Sequence, residues 1–257
     1  MANNHLSGKF LNIGHRGAPS QAPENTIPSF KKAWESGADG IELDVALSKD
    51  GFPMVFHNYF LNDTTDGKGL LAKKNLKELK SFDAGSCFSS EFEGTRIPTL
   101  EEVIEFLHEE TFIMIEIKTN FFGIKGIEKA VAAVINSYGL YDRVVVTSFN
   151  PLILNRIKEI DINIPLGLLH VPVVPFLLKK ASFYTMVSPG LLLPYHKKVN
   201  HNYLNLARSR GVKVIPWTVN TEDDMEKMLE LGVDGLITDH PDILHDFLRK
   251  KAGSNLS

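Results

Sequence analysis

The sequence predicts an α/β chain folded as a TIM (β/α)8 barrel, and three observations carry that prediction. From Phe112 onward, short apolar runs of β type alternate at even spacing with amphipathic helical segments. Over all 257 residues, eight strand–helix units remain once the return strand of one hairpin is set aside, which is the repeat number and length of an eight-fold barrel. The charged residues that interrupt the apolar runs fall at the C-terminal ends of the first three strands, where barrels build their sites. An open doubly wound sheet is the structural alternative, but it needs no such even spacing.

Phe10 to Ile13 reads as strand one, ending at Gly14-His15-Arg16-Gly17. Asn25 or Thr26 can cap the next helix, which carries Pro28 in its first turn and stops at Ser36-Gly37. Strand two starts at Gly40 and returns through Asp50-Gly51 toward His57. Read as a two-residue type I′ turn, Asp50-Gly51 pairs Lys49 with Phe52 and sets Asp44 opposite His57, with Glu42 on the same face. The other face then takes Val45, Leu47, Met54 and Phe56. The segment from about residue 46 to 99 reads as one insertion in the second βα loop, a lid or substrate wall within a single domain spanning 1–257. Thr99 and Glu102 have capping-box spacing and open a helix through His108. Strand Phe112 to Lys118, a helix near Gly126 to Tyr138, strand Val144 to Phe149 and a helix opening at Asn150-Pro151 follow. Next come strand Leu166 to His170, a Pro-rich helix around Pro175 to Ala181 and strand Tyr184 to Val187. Helix Asn202 to Arg210, strand Val212 to Val219, helix Glu222 to Leu231 capped by Thr221, strand Gly235 to Thr238 and helix Pro241 to Lys250 complete the series.

Composition narrows the function classes. Hydrophobic content of 43% with 23% charged residues suits a soluble chain with a sizeable core. A formal net charge of −3 offers no basic footprint for nucleic acid and no polybasic membrane patch. The single cysteine, Cys87, rules out an internal disulfide framework and suits a reducing compartment. Residues 1–14 show neither a charged n-region nor an apolar h-region, and no apolar run approaches the roughly 20 residues of a membrane helix. A cytoplasmic protein without an integral membrane segment is expected; oligomeric state is not encoded in these features.

His15 and Arg16 end strand one, Glu42 and Asp44 end strand two, and Glu116 and Lys118 end strand three. In strand three Ile113, Ile115 and Ile117 share one face, leaving Phe112, Met114, Glu116 and Lys118 on the other; the isoleucines should meet the helices and the charged pair the lumen mouth. Burying such charges unpaired would cost several kcal/mol each. Three carboxylates from adjacent strands suit one hard divalent cation with oxygen ligands, Ca2+ or Mg2+, and no Cys/His cluster has zinc spacing. His15 and His57 can exchange protons near neutral pH, while Arg16 and Lys118 supply fixed positive charge for a phosphoryl oxygen. A metal, an acid/base pair and cations aimed at phosphate add up to phosphodiester cleavage. Taken singly, Glu116 and Lys118 could be a structural salt bridge and His15-Arg16 a strand end. His108, His170, His196, His201, His240 and His245 read as surface or cap residues, and Cys87 as a small packed one.

The ordered series His15-Arg16-Gly17, Pro23-Glu24-Asn25-Thr26, Glu42-Leu43-Asp44-Val45, Val55-Phe56-His57 and Glu116-Ile117-Lys118 closely resembles the glycerophosphodiester phosphodiesterase family. The likeness continues through Arg96-Ile97-Pro98-Thr99, Thr147-Ser148-Phe149, Trp217-Thr218-Val219-Asn220 and Thr238-Asp239. It implies a barrel with an insertion after strand two, a divalent metal, and hydrolysis of glycerophosphodiesters, a small-molecule substrate, to sn-glycerol 3-phosphate and an alcohol. Carried over by position, Glu42, Asp44 and Glu116 match the family's metal ligands, His15 and His57 its acid/base pair, and Arg16 and Lys118 its phosphate contacts. Trp217 matches an aromatic that packs on the glycerol carbons, or it simply plugs the barrel mouth. One departure stands out: Asn58 follows the second histidine where the family usually has Asp. Two rival readings remain at this level. One is a lysophospholipase D or cyclising phospholipase whose groove would come from Phe121-Phe122 or Val171 to Leu178. The other is a non-catalytic phosphate-binding module.

Overall fold

The computed structural model describes residues 8–118, 126–170 and 186–254. Strands β1 (Leu11–His15), β2 (Gly40–Leu47), β4 (Phe112–Ile117), β5 (Val144–Ser148), β6 (Leu166–His170), β7 (Leu191–Pro194), β8 (Lys213–Val214) and β9 (Gly235–Thr238) form a parallel sheet in the order β8-β7-β6-β5-β4-β2-β1-β9, with β3 (Pro53–Val55) an antiparallel offshoot of β2. The two ends meet: Asp234 N–H donates to Val214 O (2.9 Å), Ile237 N–H to Pro216 O (3.0 Å) and Val219 N–H to Ile237 O (2.9 Å). The sheet is therefore a TIM barrel, as expected. Its seam is irregular for a covalent reason. Pro216 has no N–H to give, so β8 is two residues long where Val212 to Val219 suggested a full strand.

Described helices lie outside the strands: α1 (Ile27–Glu35), α3 (Leu100–Phe106), α4 (Ile127–Tyr138), α5 (Pro151–Ile160), α6 (His201–Arg208), α7 (Glu222–Leu231) and α8 (Pro241–Ser254), with the single turn α2 (Leu76–Leu79) in the insertion. Their starts follow the capping chemistry of the sequence. Thr26, Asn150 and Thr221 each accept an N–H of the first helical turn, and Thr99 with Glu102 closes both halves of a capping box. None of the described helices is long and apolar enough to cross a membrane.

Alternation along the strands sorts the core into layers. Ile113, Ile115 and Ile117 face the helices, whereas Leu11, Ile13, Phe112, Met114, Val145 and Ile237 fill the lumen. At the lumen floor Gly40 is obligatory, since a Cβ there would sit 2.5 Å from Phe112 O. Above that floor the same lumen face of β1, β2 and β4 changes from apolar to charged.

The hairpin register departs from expectation by one residue. Val45 pairs with Val55, Ala46 with Met54 and Leu47 with Pro53, so the partner of Asp44 is Phe56 and not His57. The cause is the turn. Ser48 O accepts from Gly51 N–H (3.1 Å), Gly51 takes φ +92°, and Ser48 Oγ accepts from Phe52 N–H (2.8 Å). That makes a three-residue connection with a left-handed glycine, not a two-residue one. Met54 and Phe56 consequently change faces and join Ala46, Leu61, Leu71 and Leu79 in a small core inside the insertion.

The sixth barrel strand is Leu191–Pro194; of the expected Tyr184 to Val187, Met186 and Val187 lie in no strand. The Pro-rich helix around Pro175 to Ala181 and the groove residues Phe121, Phe122 and Val171 to Leu178 lie outside the described residues. His170 and His196 are buried, contrary to the surface reading, because His170 Nε2 meets Tyr203 OH at 2.8 Å and His196 packs on Tyr195. Cys87 is exposed, not packed.

Candidate active site

Three buried carboxylates, Glu42, Asp44 and Glu116, converge at the C-terminal mouth, each offering an oxygen within 4.8 Å of the others. Strand pairing dictates this. In the β2–β4 ladder Asp44 is the partner of Glu116, and in β1–β2 His15 is the partner of Glu42. Partners in a parallel ladder share a face, so one lumen layer collects all four side chains.

Positive charge is woven through that layer. Lys118 Nζ lies 2.8 Å from Glu116 Oε1 and 3.0 Å from Asp44 Oδ1. Arg16 Nε lies 3.3 Å from Asp44 Oδ2, and its Nη1 donates to both oxygens of Glu24 at 3.1 and 3.0 Å. The Arg16 N–H donates to Glu42 Oε2 (3.2 Å). Reaching that position requires φ +55° at Arg16, and the next support, Asn25, sits at φ +56°. Two non-glycine residues in the left-handed region of one loop mark strain held by the site. Asn25 grips Asp44 twice: its Nδ2 donates to Oδ2 (2.8 Å) and its Oδ1 accepts from the Asp44 N–H (3.1 Å).

The three acids do not ionise alike. Burial disfavours charge on Asp44, yet Lys118 and Arg16, helped by His57 and Asn25, hold it at about 2. Burial and the neighbouring charges of Asp44 and Glu116 push Glu42 well above the carboxylate range. Burial and Asp44 likewise raise Glu116 to about 7. Two cations therefore keep one carboxylate ionised and leave the other two short of positive charge. A hard divalent cation on an all-oxygen donor set fits that deficit.

Both candidate acid/base histidines are anchored through Nδ1, by different partners. His15 Nδ1 lies 2.6 Å from Asp239 Oδ1, and Asn220 Nδ2 donates to the other Asp239 oxygen at 2.6 Å. His57 Nδ1 lies 2.8 Å from Asn58 Oδ1. His57 sits two residues beyond β3, outside the paired strand, and close enough to Asp44, Lys118 and Arg16 to feel their charge despite the shifted register. Burial lowers its affinity for a proton, and Lys118 and Arg16 add to this against the pull of Asp44.

Trp217 stands apart from the charged residues. Its indole N–H donates to Leu193 O (2.7 Å), and its ring meets Phe149 edge-on at 5.5 Å and Tyr195 at 5.7 Å. Of the eight residues singled out from sequence, seven lie in or on the charged layer and Trp217 belongs to an aromatic wall. Asp239, Asn220, Glu24 and Asn25 were given no role in the site by sequence reasoning. The available signal was position, since Asp239 immediately follows the last strand, level with His15.

Comparison with known proteins agrees with this geometry. The profile of the Glycerophosphoryl diester phosphodiesterase family matches residues 15–243. A glycerophosphodiester phosphodiesterase of Caldanaerobacter subterraneus subsp. tengcongensis is 40% identical over 243 residues, covering 94% of this chain and 99% of the relative. One of Bacillus altitudinis is 37% identical, covering 90% and 94%. Among solved structures, an Oleispira antarctica phosphodiesterase in complex with the product sn-glycerol-3-phosphate superposes with a TM-score of 0.82 at 29% identity, covering 94% of this chain and 97% of that one. The chain belongs to the glycerophosphoryl diester phosphodiesterase family, a family of enzymes.

Proposed function

We propose that this chain hydrolyses glycerophosphodiesters to sn-glycerol 3-phosphate and an alcohol, with one divalent cation, Ca2+ or Mg2+, held by Glu42, Asp44 and Glu116. The observation that carries the reading is the cluster of three buried carboxylates, short of positive charge, with Arg16, Lys118 and two anchored histidines around it. When bound, the cation supplies Lewis-acid polarisation of a phosphoryl oxygen and of the attacking oxygen. Arg16 and Lys118 orient the phosphate and offset its charge. An ionised Asp239 can only accept, so the His15 Nδ1–H points at it and Nε2 is the atom that takes or gives a proton. Asn58 Oδ1 commits His57 in the same sense. Trp217 packs on the glycerol carbons. The layout supports reading the chain as one domain with residues 46–99 inserted, and the lone cysteine supports a cytoplasmic setting.

Turnover of glycerophosphocholine tests this directly. Activity should require a divalent cation and vanish on chelation, and His15→Ala or His57→Ala should each cost about 10²- to 10⁴-fold in kcat. Full activity in either variant, or after chelation, would sink the scheme.

A further inference from the structure

A second cavity lies beside the candidate site, between the β1–α1 loop and the insertion, with a volume of about 170 Å³. Pro19 and Glu24 line both this cavity and the cleft at His15 and Asp239. Its wall is made of residues that hold the site together. Glu24 chelates Arg16, Asn25 grips Asp44, and Phe56 donates its N–H to Asp44 O (2.9 Å) one residue before His57. Whatever fills this space touches the supports of the phosphate-facing arginine, of a metal ligand and of the second histidine.

The lining is one-sided in charge. Glu24 and Asp63 face the cavity, and no described Lys, Arg or His does. Glu24 is neutralised by Arg16, whereas Asp63 has no ion-pair partner among the described residues. Phe88, 44% exposed, adds an open ring beside apolar Pro23 and Ile97. A carboxylate and an aromatic ring lining one cavity favour a cation with apolar substituents and disfavour an anion. The space accommodates a small amino alcohol.

We propose that this cavity is the subsite for the leaving alcohol and selects diesters of cationic amino alcohols, quaternary ones first. The proposal rests on the diester hydrolysis proposed above. Steady-state kinetics with glycerophosphocholine and glycerophosphoglycerol, at saturating Mg2+ and separately Ca2+, test it. The wild type should favour glycerophosphocholine in kcat/KM by roughly tenfold, and Asp63→Asn should cut that ratio at least about threefold, through KM. Complete alkylation of Cys87, the chain's one cysteine and part of the same wall, with N-ethylmaleimide should lower glycerophosphocholine turnover. The Cys87→Ser protein should not respond to the reagent. Equal kcat/KM for the two diesters, an unmoved ratio in Asp63→Asn, or unchanged turnover after complete alkylation overturns the subsite while leaving the hydrolase intact. No turnover of either diester with either metal overturns the hydrolase reading itself, and the subsite with it.

Discussion

On one side of the barrel mouth, β9, β1, β2 and β4 lead into Asp239, His15, Glu42 with Asp44, and Glu116 with Lys118; on the other, β5, β7 and β8 lead into Phe149, Tyr195 and Trp217. The charged side is held by hydrogen bonds and ion pairs in which nearly every group serves two neighbours. Asp44 alone engages Arg16, Lys118 and Asn25. The aromatic side is held by ring contacts at 5.5 to 5.7 Å and one indole hydrogen bond. Shared partners make the first side cooperative, so single changes there should be costly and non-additive. The second side should respond in small steps.

Asp44→Asn is the hardest blow to that contrast. It removes the carboxylate that pairs two buried cations, and should abolish turnover and cost about 3–5 kcal/mol in urea unfolding; a stable, active variant would mean that the charged half is not cooperative. Asp239→Asn should lower kcat by about 10²- to 10⁴-fold with a smaller change in KM, because the amide no longer fixes the His15 tautomer. Rescue in Asp239→Glu would show that the carboxylate, not the backbone there, matters.

The third expectation concerns pH and metal together. Glu116, raised from its ordinary 4.5 to about 7, keeps a proton in the folded metal-free protein that the unfolded chain has already released. Stability of the metal-free protein therefore falls as pH rises between about 4.5 and 7, and the raised Glu42 acts in the same direction. A cation relieves that strain, so the gain in Tm from Mg2+ or Ca2+ should be several degrees larger at pH 8 than at pH 5.5 by calorimetry. Equal gains at both pH values would show that the carboxylates ionise unaided. Smallest of all, Phe149→Ala should raise KM for glycerophosphocholine by about two- to twelvefold with kcat nearly unchanged, the worth of one aromatic contact. A collapse of kcat would move Phe149 into the charged half.

Much of this was legible in the chain because it is written in local chemistry. Thr221 before Glu222–Leu231, the Thr99/Glu102 box and the alternating Phe112–Ile117 strand specify their own structure within a few residues. What was not legible depends on partners distant in sequence or on competing hydrogen bonds. The Asp50-Gly51 pair signals a two-residue turn, whereas the Ser48 hydroxyl, bonded to Phe52 N–H and Asp50, and the Leu76 N–H that donates to Asp50 favour the longer connection. Leu191–Pro194 is buried without alternation, so its sequence does not separate it from the equally apolar stretch before it. Asp239 acts on a histidine 224 positions away, a pairing that only barrel closure creates.

Lys118, bridging Asp44 and Glu116, also bears on the order in which the enzyme matures. With Arg16 and Lys118 in place and protons on the raised acids, the mouth is near electrical neutrality before any ion arrives. On the proposed metal reading, closing the barrel then needs no ion to balance these buried charges while the raised acids keep their protons. Loading would then be an exchange of protons for a divalent ion, so that acidification disfavours the ion and neutral pH favours it.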